Sequence, residues 1–209
     1  MGSKAVICAM QKELDILSAA LSSSGDVRSA LSGIGKVNAA LATAALINEG
    51  RPDAVISIGC AGSFAEGVGV GDIIIASETA YHDVWCGPGN EPGQVQGLPC
   101  RFRSDETLVE AARASIDGAL CGLVISGDQF YVGPGEDERQ RRLFPDALAV
   151  DMESAAIAQT CRLLGVPFIS IRAISDIHGD GRQGEHYRSF WDGMAEKALG
   201  RIADFIGKL

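Results

Sequence analysis

Short apolar runs alternate with stretches of helical period along almost the whole chain, and this alternation narrows the possible folds more than any other feature. Strand-like runs occupy residues 5–9, 54–58, 72–77, 120–126, 147–150 and 167–176. Between them, a helix begins near Gln11, and residues 35–48 place Val37, Leu41, Ala44 and Ala45 at helical spacing. Residues 105–116 predict a helix with Ser104 as its N-cap, and residues 136–143 a short charged helix stopped by Pro145. Ile157, Cys161 and Leu164 recur at i, i+4 and i+7 in a helix ended by Gly165 and Pro167, and residues 189–206 predict a terminal helix. Strands and helices that alternate in this way imply a largely parallel α/β sheet covered on both faces. The 209 residues suit one domain, 1–209, with a full core. Residues 84–99 form the one long loop, rich in glycine and proline.

A net charge of −9 disfavours nucleic-acid and anionic-membrane partners, which are held by basic patches. No apolar run approaches the roughly 20 residues of a membrane span, and the first residues are too short in apolar length for a signal peptide. None of the six cysteines forms a C-x-x-C pair, and the three histidines lie far from metal-ligand spacing. A reducing cytoplasm and no structural metal are expected.

Chemistry is concentrated in acids beside strand ends. Glu153 follows the run 147–150, Asp176 ends the run 167–176, and Glu13 lies shortly after the first run. In open α/β folds ligands bind at the carboxyl ends of strands. Each acid has a plainer reading. Glu153 or Asp151 could start a helix, Asp176 could cap a loop, and Arg172 could be the ion-pair partner of Asp176. Together, at successive strand ends, they point to a polyhydroxylated ligand and proton transfer. The run Gly59-Cys60-Ala61-Gly62-Ser63 would let backbone amides approach a ligand, or serve as a packing turn. Ser32-Gly33-Ile34-Gly35 precedes a helix but lacks the third glycine of a dinucleotide fingerprint. Phe130 and Tyr131 follow a strand, where an aromatic face can stack on a heterocycle or fill a core.

In order, the segments Met10-Gln11-Lys12-Glu13, Ser32-Gly33-Ile34-Gly35-Lys36, Gly59-Cys60-Ala61-Gly62, Val70-Gly71-Asp72, Tyr81-His82-Asp83, Ser126-Gly127-Asp128, Asp151-Met152-Glu153 and Arg172-Ala173-Ile174-Ser175-Asp176 span nearly the whole chain. The set closely resembles the bacterial 5′-methylthioadenosine/S-adenosylhomocysteine nucleosidases of the nucleoside phosphorylase superfamily. The resemblance implies a three-layer α/β/α sandwich around a mixed, partly barrel-like sheet, a homodimer, and hydrolysis of an adenine nucleoside without metal or cofactor. It assigns Asp176 as general acid toward the purine, Glu153 to the ribose hydroxyls with Met152 against the sugar, and Glu13 to the attacking water. Arg172 and Ser175 would support the water and the acid. Phe130 would stack on adenine, the Tyr131 backbone would bond the base, and Cys60, Ala61, Gly62 and Asp151 would complete the binding surface. Phe190 would join the 5′-alkylthio pocket, and the loop 84–99 would cover the partner subunit's pocket.

A phosphorylase on this fold would carry arginine and a Gly-Asp-Pro-like turn near the first strand, where this chain has Met10-Gln11-Lys12-Glu13. An acid there repels phosphate and favours water. A futalosine or aminodeoxyfutalosine nucleosidase stays open as an alternative, because the discriminating contacts lie in the 5′ pocket. Three departures from the family pattern stand out. The stretch 21–31 leaves little room for the usual strands, so a hairpin is expected to be absent or shortened and the sheet edge open. Cys60 is a weaker donor than serine, and Tyr131 is bulkier than an aliphatic residue. The segment 179–185, with three glycines, is expected to be a mobile extension of a lid.

Overall fold

The computed structural model describes residues 3–23, 27–131, 135–179 and 181–207. The elements run β1 (Lys4–Cys8), α1 (Gln11–Ser23), β2 (Val27–Leu31), α2 (Lys36–Glu49), β3 (Ala54–Ser63), β4 (Ile73–Tyr81), β5 (Arg101–Arg103) and α3 (Glu106–Ser115). They continue with β6 (Leu120–Ser126), α4 (Glu138–Leu143), β7 (Ala147–Asp151), α5 (Ser154–Leu164), β8 (Phe168–Ile177), α6 (Gln183–Ser189), a π-helical turn (Phe190–Met194) and α7 (Ala195–Ile206).

The sheet is mixed. β1 pairs with β2 and β3 in parallel, β3 with β8 in parallel, and β6 with β4 and β7 in parallel. β4 is antiparallel to β8 and β5, and β7 meets β3 antiparallel through Gly62–Val150. The pairings β3–β8–β4–β6–β7–β3 therefore close a ring, while β1 and β2 extend from β3 and β5 hangs from β4. Each ring strand sends a buried apolar side chain into one shared cluster: Ala61, Ile174, Ile74, Val124 and Ala149. Small and branched residues fill so narrow a barrel, which is a packed core rather than a channel.

Alternation along the strands gives the sheet its two other apolar faces. Val6, Ile56, Ile169 and Ile171 pack against Leu17 of α1, Ala112 of α3 and Leu199, Ile202 and Phe205 of α7. Ala5, Ile7 and Val55 point the other way, to Leu46 and Ile47 of α2 and Ala158 and Cys161 of α5. The result is the expected three-layer α/β/α sandwich. Gly165 ends α5 at φ 65°, a left-handed conformation that glycine adopts without strain.

The structure corrects several expectations. The stretch after α1, expected to have lost or shortened a hairpin, holds one strand. Val27–Leu31 forms β2, which lies parallel to β1 at the end of the sheet order, so a single edge strand stands there. Polar Arg28 and Ser29 hid it from a search for apolar runs. β5 was missed because three residues carry too short a pattern. The terminal helix is divided, with α6 starting at Gln183 and a π-helical turn at Phe190–Met194 before α7. Gln183 is buried, so that end of the 179–185 segment is part of the packed structure, while Asp180 lies outside the described residues.

Ser104 is not the cap of α3. Asp105 is, its side chain accepting from Leu108 N at 3.1 Å, whereas the Ser104 hydroxyl is buried without a partner. Asp105→Ala should therefore lower unfolding free energy by about 1 kcal/mol. Ser104→Ala should leave it unchanged or raise it, as read from denaturant midpoints.

Candidate active site

Six elements converge on one cleft. Its wall includes Met10 and Glu13 from the start of α1, Ile34 before α2, and Cys60, Ala61 and Gly62 from β3. Gln129, Phe130 and Tyr131 come from the segment after β6, and Asp151, Met152 and Glu153 from the β7–α5 junction. Ser175, Asp176, His178 and Tyr187 come from β8 and the chain that follows it. The three acids singled out in the sequence thus share one cavity, and all are buried: Glu13 is 1% exposed, Glu153 7% and Asp176 2%.

Each acid is held differently. Glu13 sits in the first turn of α1, where Met10 N donates to Oε2 and Cys60 N to Oε1, both at 2.9 Å. Backbone N–H donors thus anchor both of its carboxyl oxygens. A Cβ on Gly59 would lie 2.9 Å from Glu13 Oε1, so the glycine leaves room for this acid. The Cys60 thiol beside it stays protonated, raised well above its ordinary value by burial and then by the Glu13 charge.

Glu153 stands at the start of α5 but does not cap it. Asp151 Oδ1 lies 3.3 Å from both Glu153 N and Ser154 N and takes the helix-start role. Glu153 is left to reach across the cleft, where Oε1 accepts from Gly35 N at 2.8 Å. Burial first, and then the neighbouring Asp151 carboxylate, push its pKa up to about 7 despite the Gly35 N–H and Arg172.

A bulge between β3 and β8 sets Asp176. Ala61 pairs with Ile174, but Gly62 pairs with Asp176, so Ser175 is the extra residue. The shift turns Asp176 into the cleft, where Ser175 Oγ lies 2.5 Å from Oδ1 and Gln183 Nε2 donates to Oδ2 at 2.7 Å. Gly62 is again required by space, since a Cβ there would fall 2.9 Å from Asp176 Oδ2.

The cleft's other wall is aromatic. Phe130 is 53% exposed at its edge, with its ring 6.0 Å from that of Tyr187. Tyr131 is buried, its hydroxyl donating to Gln129 Oε1 at 3.0 Å.

Comparison with known proteins follows this geometry. Residues 20–209 match the phosphorylase superfamily. A 5′-methylthioadenosine/S-adenosylhomocysteine nucleosidase of Geobacillus kaustophilus (strain HTA426) is 42% identical over 181 residues, covering 84% of this chain and 77% of the relative. The chain belongs to this nucleosidase family. Among solved structures, the nucleosidase of Neisseria meningitidis in complex with methylthio-immucillin-A has a TM-score of 0.91 at 39% identity, with 100% of both chains covered. That of Colwellia psychrerythraea 34H, in complex with adenine, has a TM-score of 0.92 at 36% identity over 100% of this chain and 96% of the other.

Three side chains are placed differently from what the sequence led one to expect. Arg172 does not pair with Asp176. Its Nε donates to Asp151 Oδ2 at 2.7 Å and a terminal nitrogen to Ser57 Oγ at 2.8 Å, and it is outside the cleft wall. Asp151 reaches the wall, but both its oxygens are taken, Oδ1 by Ser126 Oγ at 2.5 Å and Oδ2 by Arg172 and Ser154 Oγ. Phe190 is fully buried in the core against Trp191 and does not line the cleft; Tyr187, one turn earlier, does. Sequence reasoning also passed over Ile34, Gln183 and His178. Ile34 lies within Ser32-Gly33-Ile34-Gly35, and its exposure is a property of the folded chain alone.

The raised pKa of Glu153 has a thermodynamic signature. Between the unfolded value of 4.5 and the folded value of about 7, the folded chain holds a proton that the unfolded chain has lost. This contribution is fully present below the lower value and disappears as pH rises through the upper one. Glu153→Gln should therefore raise the melting temperature relative to the parent at about pH 8 and change it little at about pH 4. A difference independent of pH would contradict the assignment.

Proposed function

We propose that this nucleosidase cleaves the N-glycosidic bond of 5′-methylthioadenosine and S-adenosylhomocysteine with water, through separate work by Glu13, Glu153 and Asp176. The observation that carries this reading is the joint presence of Glu13, Glu153 and Asp176, with Asp151 beside them, as buried carboxylates in one cleft whose described wall holds no lysine or arginine. Such a wall is hostile to phosphate and open to water. Adenine-bound and inhibitor-bound relatives of the same fold support the choice of ligand.

The chemistry follows from charge. Breaking a ribosyl C–N bond builds positive charge on the sugar and negative charge on the base, as in glycoside hydrolysis. Asp176 donates a proton to the imidazole-ring nitrogen of adenine, so the base leaves neutral. General acid catalysis of this kind contributes roughly 10²–10⁴-fold. Glu153 accepts from the ribose hydroxyls, and as an anion it stabilises the developing cation. Glu13, held by the backbone amides of Met10 and Cys60, takes a proton from the attacking water. Phe130 supplies the exposed apolar face for the purine, and Met152 packs beneath the sugar. Cys60, Ala61, Gly62 and the Tyr131 backbone complete the binding surface. Ser175 steadies the acid through Oδ1. Arg172 acts from behind the site, on Asp151 and on the charges of Glu13 and Glu153.

A homodimer is part of the same proposal. Ile34, Val37 and Leu41 are 53%, 70% and 67% exposed, and Ile34 also lines the cleft. A second copy seated on this face would close the 5′ end, and the loop bearing Trp85, itself 60% exposed, is the segment to reach across. Six free thiols fit a cytoplasmic enzyme. Among the described residues no helix is long and apolar enough to cross a membrane.

Purified protein should release free adenine from methylthioadenosine in phosphate-free buffer. A strict need for phosphate, with ribose 1-phosphate as product, would refute hydrolysis. Asp176→Asn should keep the fold but lose on the order of 10²-fold or more in kcat. Glu13→Gln should lower kcat more than it weakens binding of an adenine nucleoside analogue, measured by calorimetry.

A further inference from the structure

Asp176 is assigned as an acid, yet the groups that hydrogen-bond its carboxyl among the described residues, Ser175 Oγ and Gln183 Nε2, are neutral and cannot resupply the proton it gives away. It is buried apart from its face on the cleft, and each proton it donates has to be replaced. One group is built for that supply. His178 is buried in the cleft wall with Nε2 3.4 Å from Asp176 Oδ2 and Nδ1 3.7 Å from Asp137 Oδ2. The imidazole is thus bracketed by two carboxylates.

Both carboxylates stand at ion-pair distance, Nδ1 makes no hydrogen bond among the described residues, and the surrounding backbone and Asp137 are held in place. His178 N donates to Ser63 O at 2.7 Å, and its carbonyl accepts from an Arg141 terminal nitrogen at 3.0 Å. Arg141 Nε also donates to Asp137 Oδ2 at 2.7 Å, fixing the second carboxylate. The rings of Tyr131 and Phe64 flank the imidazole with centroids at 5.6 and 6.4 Å. A Cβ on Gly62 would come within 2.2 Å of His178 Nε2, so the glycine admits the imidazole as well as the acid. Among the described residues, the charged and titratable groups around the ring are Asp176 from β8, Asp137 and Arg141 from the turn and helix α4, and Tyr131 after β6.

We propose that His178 is the positioning residue that recharges Asp176, with Asp137 orienting and stabilising its imidazolium. The inference rests on Asp176 being the general acid. In the step, the Nε2–H bond of the imidazolium breaks as the Asp176 Oδ2–H bond forms. Asp176 then passes that proton to the imidazole-ring nitrogen of adenine while the C–N electron pair moves onto the base. Water bonds to the anomeric carbon and loses one proton to Glu13. One proton is taken up by the base and one is released from water, and His178 and Glu13 reset with solvent after the products leave.

The test separates leaving groups. Methylthioadenosine needs protonation of its base, whereas a 5-methylthioriboside of 4-nitrophenol departs as a stable anion. His178→Gln should lower kcat on methylthioadenosine by on the order of 10²-fold, leave KM within about twofold, and alter the pH profile of kcat. Its turnover of the nitrophenyl riboside should stay near that of the parent, which also shows that the variant is folded. Asp137→Asn should show the same selective loss to a smaller degree, and it carries the test if His178→Gln fails to fold. Equal losses on both substrates, or no loss on methylthioadenosine, would overturn the proposal. Asp176→Asn run alongside must also lose the adenine substrate selectively; if it does not, the acid assignment fails first, and the role of His178 with it.

Discussion

Arg172 places a permanent positive charge between the barrel strands, and the rest of the site is arranged around it. Its guanidinium joins β8 to β7 through Asp151 and to β3 through Ser57, while Asp151 reaches β6 and α5 through Ser126 and Ser154. The ion pair is 3% and 1% exposed, so neither partner can fall back on water. Losing one partner of such a pair costs about 3–5 kcal/mol, because the other is left as an uncompensated buried charge. The same cation interacts with Glu153 and Glu13. The four carboxylates that line one cavity, Glu13, Asp151, Glu153 and Asp176, would otherwise repel one another. Arg172 moderates that repulsion from behind the cleft wall.

The second constraint is space. The small residues closing β3 had two readings, a backbone surface for the ligand or a packing turn. The first contact they make is with the acids: Gly59 makes room for Glu13, and Gly62 for Asp176 and His178. The bulge opposite Gly62 then decides which way Asp176 faces. Without the extra residue at Ser175, alternation along β8 would send the neighbouring side chain into the cleft instead. Position, ionisation and packing of the acids are therefore one problem, solved where β3, β7 and β8 meet.

Much of this was legible in the chain. The apolar runs located six of the strands, and the glycine and proline signals ended α4 and α5 where the structure ends them. Glu13, Glu153 and Asp176 could be named because strand ends in such folds are ligand sites. The errors have physical causes. β2 is half polar and β5 only three residues long, so neither carries a readable period. Arg172 and Asp176 are four residues apart in an extended strand, which separates them too far for a direct pair, and a strand from elsewhere supplied Asp151. Phe190 and Tyr187 differ by one helical turn, and the break at the π-helical turn determines which of them faces the cleft. His178 had no motif to announce it, since its meaning depends on Asp137, which lies 41 positions away by residue number.

The sequence by itself determined the layered α/β architecture, the family, and the residue types that do the chemistry, because periodicity and local motifs are short-range properties. The tertiary structure decided how the sheet closes, which carboxylate is a helix cap and which is free, and which cation balances them. Those outcomes depend on desolvation and on contacts between strands distant in the chain. A carboxylate at a strand end becomes an acid, a base or a structural anchor only when burial and its neighbours have set its charge.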